Sequence, residues 1–164
     1  MSVYIRLATA ADEAACNTLA KRSPYTRDFA NPPLSLKAMR KVAFTENQVY
    51  AAVVKSTVVG FVWSRPMKPR HMPFCTVYYA YVDTAAVGRG GTYKLLLEHA
   101  LKCSAFWALE LVVEHGNAKV QAYFGKAAKT VDFFGKRTCV TAVKEGFVGK
   151  DARPYTRWRI SYEA

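Results

Sequence analysis

Thr76–Lys102 reads TVYYAYVDTAAVGRGGTYKLLLEHALK, and its parts differ in period. Thr76 to Val82 is rich in β-branched and aromatic residues, as a strand is. Further on, Tyr93, Leu96, Leu97 and Ala100 recur at helical spacing, with Lys94 and Glu98 interleaved. Between the two lies Val87-Gly88-Arg89-Gly90-Gly91-Thr92, a glycine-rich turn that opens a helix. Such a turn leaves several backbone N–H groups without partners at the positive end of a helix dipole, a seat for phosphate or pyrophosphate. Glycines allow close approach to the backbone, and Arg89 adds positive charge. On the glycines alone, an ordinary strand-to-helix connection fits equally well.

Upstream, Val3, Ile5 and Leu7 alternate with Tyr4 and Arg6 as a first strand. Thr9 then caps a helix that runs to about Arg22, where Ser23-Pro24 breaks it. Tyr25 to Leu34 holds two prolines and reads as a loop, and a second helix is expected from Ser35 to Thr45. Val49–Lys55 and Val58–Arg65 form a hairpin, followed by a basic, proline-bearing linker from Arg65 to Pro73.

Downstream, Trp107 to Val113 alternates Trp107, Leu109, Leu111 and Val113 against Ala108, Glu110 and Val112, as a strand does. After His115-Gly116 a helix begins near Asn117 and runs, with a break at Gly125, to Phe134. Thr138–Val143 and Arg153–Ser161 are the last strands, separated by the glycine-rich Glu145–Gly149. The order β, α, α, β, β, β, α, β, α, β, β predicts an α/β (α+β) domain over residues 1–164. Its mixed sheet has six to seven strands, mostly antiparallel with parallel pairing in the middle, and helices on both faces.

With 51% hydrophobic and 13% aromatic residues, the 164-residue chain is long and apolar enough to bury a core, which excludes a disordered chain. No apolar run reaches a bilayer span, and the N-terminus lacks a basic region followed by an apolar core, so a cytoplasmic protein off the membrane is expected. Cys16, Cys75, Cys103 and Cys139 form no CxxC pair and no metal spacing with His71, His99 or His115, so reduced thiols and no metal are expected. The net charge is +12, with 24 basic and 12 acidic residues. Residues 83–125 are neutral; the excess lies at 1–82 and 126–164. That placement suits an acidic partner such as nucleic acid or an acidic protein face, or serves solubility alone.

The element order and the glycine turn after the fourth strand resemble the GNAT family of acyl-CoA-dependent N-acetyltransferases, over nearly the whole chain. The family's phosphate-binding pattern falls on Val87, Gly88, Arg89, Gly90, Gly91 and Thr92. Gly88-Arg89-Gly90 matches the common form, while Val87 replaces the usual Arg or Gln and Thr92 replaces a small residue. Tyr79–Asp83 (YAYVD) resembles the family's fourth strand, whose splayed end accepts the pantetheine arm. Leu111–Asn117 (LVVEHGN) resembles the fifth strand with its Asn at the start of the next helix. Gly146-Phe147 and Pro154–Ile160 resemble the approach to the last strand and that strand itself.

The resemblance implies acetyl-CoA as co-substrate. The backbone of Tyr81 and Val82 is expected to hold the pantetheine and polarise the thioester carbonyl, the amides of Gly88 to Thr92 the pyrophosphate, and Asn117 to line the channel from the other side. Asn117 also suits a helix N-cap. The family's proton donor, a Tyr seven residues after the Asn, falls on Phe124, which has no proton to give and is left to line the channel. Its neighbour Tyr123 becomes the candidate acid, or is an ordinary packing residue. For the base, the fourth strand holds no carboxylate; Asp83 and Glu110 are the nearest, with Glu114 and His115 close by, and a base acting through water is another route. A Lys amine has a pKa near 10.4 and an α-amine one near 8, so weak base provision favours an α-amine, including an aminoacyl group. The expected activity is acetyl transfer to a primary amine of a macromolecular acceptor, protein or aminoacyl-tRNA, by a monomer or homodimer. The alternative is a catalytically degenerate GNAT-like module that binds an acidic partner such as nucleic acid.

Overall fold

Among the described residues, seven strands pair into one sheet: β1 (Tyr4–Leu7), β2 (Gln48–Val54), β3 (Thr57–Pro66), β4 (Phe74–Val82), β5 (Ala108–Glu114), β6 (Thr138–Val148) and β7 (Arg153–Tyr162), in the order β1-β2-β3-β4-β5-β7-β6. Among the described residues the helices are α1 (Glu13–Arg22), α2 (Thr92–Cys103) and α3 (Ala118–Ala128), with a 3-10 turn at Ala10–Asp12. The computed structural model describes residues 2–22, 48–66, 74–83, 85, 91–103, 108–135 and 137–162. The predicted loop at 25–34, the second helix at 35–45, the linker beyond Pro66 and the turn residues Val87, Gly88, Arg89 and Gly90 lie outside them.

Among the described strands every pairing is antiparallel except β4 with β5, which is parallel and lies in the middle of the sheet, where the element order predicts parallel pairing. The β2–β3 hairpin closes on Lys55-Ser56, both at positive φ (45° and 67°), the geometry of a primed two-residue turn that matches strand twist. Alternation sorts the side chains between two cores. On one face, Leu96, Leu97, Ala100 and Leu101 of α2 and Phe124 and Ala127 of α3 pack on Val62, Val77, Leu109, Leu111, Val113, Trp158 and Ile160. On the other, Cys16, Leu19 and Ala20 of α1 pack on Val49, Ala51, Val53, Phe61 and Trp63. Each buried Leu contributes about 1.5–3 kcal/mol.

Two predicted boundaries move. The stretch Glu145–Gly149 is not a loop, because β6 pairs with β7 as far as Val148. Gly146 is compatible with the strand because the Tyr155 ring lies over it, filling the space a Cβ would need. Nor does Gly125 break α3, which passes through it and ends at Ala128, with Phe133 and Phe134 in the turn that follows.

The first strand is tied to the first helix by charge. Arg6 donates to both carboxylate oxygens of Asp12 (2.6 and 2.9 Å), and the Thr9 N–H donates to Oδ2 at 2.8 Å. Chiefly through the Arg6 hydrogen bond, the Asp12 carboxyl is held down to about 2 from its usual 3.8. A depressed carboxyl stabilises the fold above its ordinary pKa and ceases to do so as pH falls through the folded value. Arg6 is one-third exposed, so screening trims the effect. Asp12→Asn is expected to lower urea-measured stability by about 1–2 kcal/mol at pH 7 and by much less at pH 2. An equal loss at both values would rule out an ionic origin.

Candidate active site

The parallel junction between β4 and β5 is short. It pairs Phe74 with Ala108, Cys75 with Leu109 and Thr76 with Glu110, and then ends. Beyond it, β4 continues to Val82 alongside β3, and β5 continues to Glu114 alongside β7. A register shift precedes the separation: Trp63 pairs with Tyr79 but Ser64 with Val77, leaving one extra residue on β4 at Tyr78. Such a bulge bends and twists its strand, here where β4 leaves β5. The result is a wedge between two strands of one sheet, closed at Glu110 and open toward Val82 and Glu114.

Ladder phase identifies the backbone groups facing the wedge. The Asp83 N–H donates to Val59 O at 2.8 Å, so Asp83–Val59 and, two residues back, Tyr81–Phe61 are the hydrogen-bonded pairs. Tyr81 therefore spends its backbone groups on β3, while those of Ala80 and Val82 turn toward the wedge. On the other wall, His115 N–H donates to Pro154 O at 2.9 Å, which by the same alternation turns Val112 and Glu114 inward. The Glu114 carbonyl is taken by Asn117 N–H at 3.0 Å, leaving its own N–H facing in.

Two helices begin at this open end, on the same face. Gly91 precedes α2 at φ +111°, a backbone conformation side chains disfavour. The bond from Leu95 N–H to Gly91 O (2.9 Å) leaves the N–H groups of Thr92, Tyr93 and Lys94 without intrahelical acceptors. Asn117 stands at the N-cap of α3, yet its side chain makes no capping hydrogen bond, so the capping role goes unfilled. A polar network fixes α3 to the sheet. Trp158 Nε1 donates to Gln121 Oε1 (3.1 Å), and Gln121 Nε2 to the buried Thr156 Oγ1 (2.8 Å). Thr156 also meets Glu145 (2.9 Å) and His115 Nε2 (2.8 Å).

Tyr123 projects from α3 toward the first turn of α2. Its ring meets Tyr93 edge-on, with centroids 5.5 Å apart, and contacts Phe124, Phe133 and Phe134. Its hydroxyl is buried and has no hydrogen-bond partner among the described residues. Burial, and secondarily the Glu98 charge, push its pKa above the usual Tyr value, so the hydroxyl keeps its proton. Phe124 is fully buried in the core, stacked on Trp158 at 5.8 Å.

The candidate bases stand on the opposite face. Glu110, buried at the root of the wedge, accepts from Arg159 Nε at 2.7 Å. Asp83 accepts from Arg22 at 2.9 Å and so ties the end of α1 to the end of β4. Glu114 is 3% exposed; one oxygen is held by Arg153 Nε, and Oε2 has no partner among the described residues. Tyr81 is half-buried against the α1-side core. The structure thus groups Val82, Gly91, Thr92, Asn117 and Tyr123 around one end of the wedge, and sets Asp83 and Glu110 across the sheet from Tyr123. The sequence reading did not include Ala80, because only the register shows that its backbone groups turn toward the wedge. The buried, unpartnered oxygen of Glu114 was equally invisible, since the sequence does not show which acids find arginines.

No protein-family profile matches the sequence, and no curated protein matches it. Solved structures do. The ribosomal-protein-S18-alanine N-acetyltransferase from Escherichia coli superposes with a TM-score of 0.72 at 15% identity, over 99% of this chain and 96% of that one. A GNAT-family acetyltransferase from Bacillus cereus gives 0.69 at 11% identity over the whole of both chains. Spermidine N-acetyltransferase from Vibrio cholerae, solved with CoA and spermine, gives 0.70 at 12% identity, covering 97% and 95%. The fold is that of the GNAT acetyltransferases.

Proposed function

We propose that this chain transfers an acetyl group from acetyl-CoA to a primary amine on a macromolecular acceptor, protein or aminoacyl-tRNA. The observation that carries the proposal is the wedge, where unpaired main-chain groups of β4 face those of β5 and two helix N-termini open at the same end. Ala80 and Val82 N–H groups aim at a thioester carbonyl and stabilise charge as it develops there. The amides that open α2, with Val87, Gly88, Arg89 and Gly90 before them, take the pyrophosphate, and the Asn117 amide takes the pantetheine arm. Acetyl-CoA supplies the activated acyl group. As the C–N bond forms and the C–S bond breaks, Tyr123 gives its proton to the departing sulfur, and the amine loses one toward Glu110 or Asp83, directly or through water. The charge excess at 1–82 and 126–164 favours an acidic macromolecule as acceptor.

Acetyl-CoA at a hundred times its Kd is expected to stabilise the fold by about 2.7 kcal/mol, raising Tm by roughly 5–10 °C, with no rise from ATP or NAD. No shift at millimolar acetyl-CoA would sink the reading. One observation favours a second: Phe124 stands in the core where the resemblance calls for a proton donor. A degenerate module predicts the same stabilisation without acetyl transfer to any amine, and nucleic-acid binding that weakens steeply with salt.

A further inference from the structure

Asp83 follows the last residue of β4 and stands four positions before Val87, where the glycine-rich turn begins. It is the one acid in the sequence from Thr76 to Leu97. A carboxylate therefore stands at the entrance to a segment whose glycines, Arg89 and helix start otherwise suit an anion. Three bonds hold it there. Its N–H donates to Val59 O at 2.8 Å, which fixes the backbone to β3. Oδ2 accepts from Arg22 Nη1 at 2.9 Å, and Arg22 is the last residue of α1. Oδ1 accepts from the Ala85 N–H at 3.2 Å. A carboxylate that bonds the backbone two residues on mimics a tight turn and sets the direction in which the chain leaves the strand.

The far end of the same segment is held as well. Gly91 adopts φ +111°, and its carbonyl accepts from Leu95 N–H at 2.9 Å as α2 begins. Residues 86–90 thus connect two anchored positions, Ala85 and Gly91. A short connection with fixed ends has less conformational freedom to lose when its amides close on a ligand. The charge has a cost of its own, because a bare carboxylate at this entrance repels phosphates. Arg22 offsets that charge and keeps Oδ1 turned to Ala85. The Arg22 side chain is 53% exposed, so its effect falls as salt rises.

We infer that Asp83 is a positioning residue for the cofactor turn, and that Arg22 acts through it by holding the carboxylate and offsetting its charge toward the bound phosphates. This rests on the transferase reading for the identity of the anion, and it leaves Glu110 to take the proton of the amine. A base at Asp83 must let go of Arg22 or Ala85 to accept a proton; a positioning residue needs both bonds intact.

Calorimetry with CoA, and backbone amide exchange without ligand, test the two halves separately on the full chain. Asp83→Ala is expected to weaken CoA roughly threefold to tenfold and to speed exchange of the Ala85 amide by a similar factor. Asp83→Asn keeps an oxygen at Oδ1, so the Ala85 amide is expected to stay protected. Arg22→Ala leaves the carboxylate unbalanced and is expected to weaken CoA roughly threefold to tenfold at low salt, and less at high salt. Adding Asp83→Asn to Arg22→Ala is expected to recover most of that loss, which the loss of a merely structural ion pair does not allow. In turnover, the Asp83 variants are expected to raise KM for acetyl-CoA more than they lower kcat. Unchanged CoA affinity in Asp83→Ala, a double variant weaker than Arg22→Ala, or a fall in kcat larger than the rise in KM overturns the inference. The last result makes Asp83 the proton acceptor instead. If the unaltered chain binds no CoA, the cofactor reading fails, and unchanged exchange at Ala85 in Asp83→Ala still overturns the anchoring role.

Discussion

Tyr123→Phe is expected to lower kcat by about two to four orders of magnitude while leaving Tm unchanged or slightly raised. The two halves of that result come from one observation. A buried hydroxyl without a partner costs stability, so deleting the oxygen removes a penalty and leaves the ring contacts with Tyr93, Phe133 and Phe134 in place. A packing residue loses nothing when it loses that oxygen; a proton donor loses its function. Burial and the Glu98 charge keep the hydroxyl protonated above the ordinary Tyr range, so the acid imposes no fall in rate at moderately alkaline pH. Full turnover in the variant would remove Tyr123 from the mechanism without touching the fold or the cofactor reading.

The largest expected loss of stability follows Phe124→Ala. The ring is fully buried, stacked on Trp158 and set edge-on to Tyr93 and Tyr123, and its removal leaves a cavity at the junction of α2, α3 and β7. Such truncations cost about 3–5 kcal/mol, which lowers Tm by roughly 10 °C in a domain of this length. The sequence reading placed Phe124 along the cofactor channel, and the variant separates the two roles. A core residue costs stability in the absence of CoA; a channel residue costs CoA affinity at unchanged Tm.

The same residue shows what the sequence could carry. Periodicity located β4, β5 and α2 to within a few residues because each buries a regular apolar face, and the element order put parallel pairing in the middle of the sheet, where β4 meets β5. It did not find the end of β6, since glycine reads as a loop signal and the ring that covers Gly146 comes from Tyr155 on another strand. The place of Asn117 at the start of α3, and of Tyr123 within that helix, was legible from the fifth strand that precedes it. Glu110 and Glu114 were legible as acids on or beside an apolar strand, but not as one paired acid and one half-paired acid. That distinction depends on cross-strand register, which no local pattern encodes.

The wedge is made of main-chain atoms. What it presents at Ala80 and Val82 are amide and carbonyl groups, and at Glu114 an N–H, turned inward by ladder phase, and every residue except proline has the same ones. Substitution along either wall can therefore exchange nearly all the side chains while the cleft keeps its donors, provided the bulge and the short junction survive. A cleft of this kind leaves little imprint in the residue alphabet. A chain can drift beyond the reach of sequence profiles while its shape still superposes on its structural counterparts, because a gap in a hydrogen-bond ladder is set by pairing and register rather than by a set of letters.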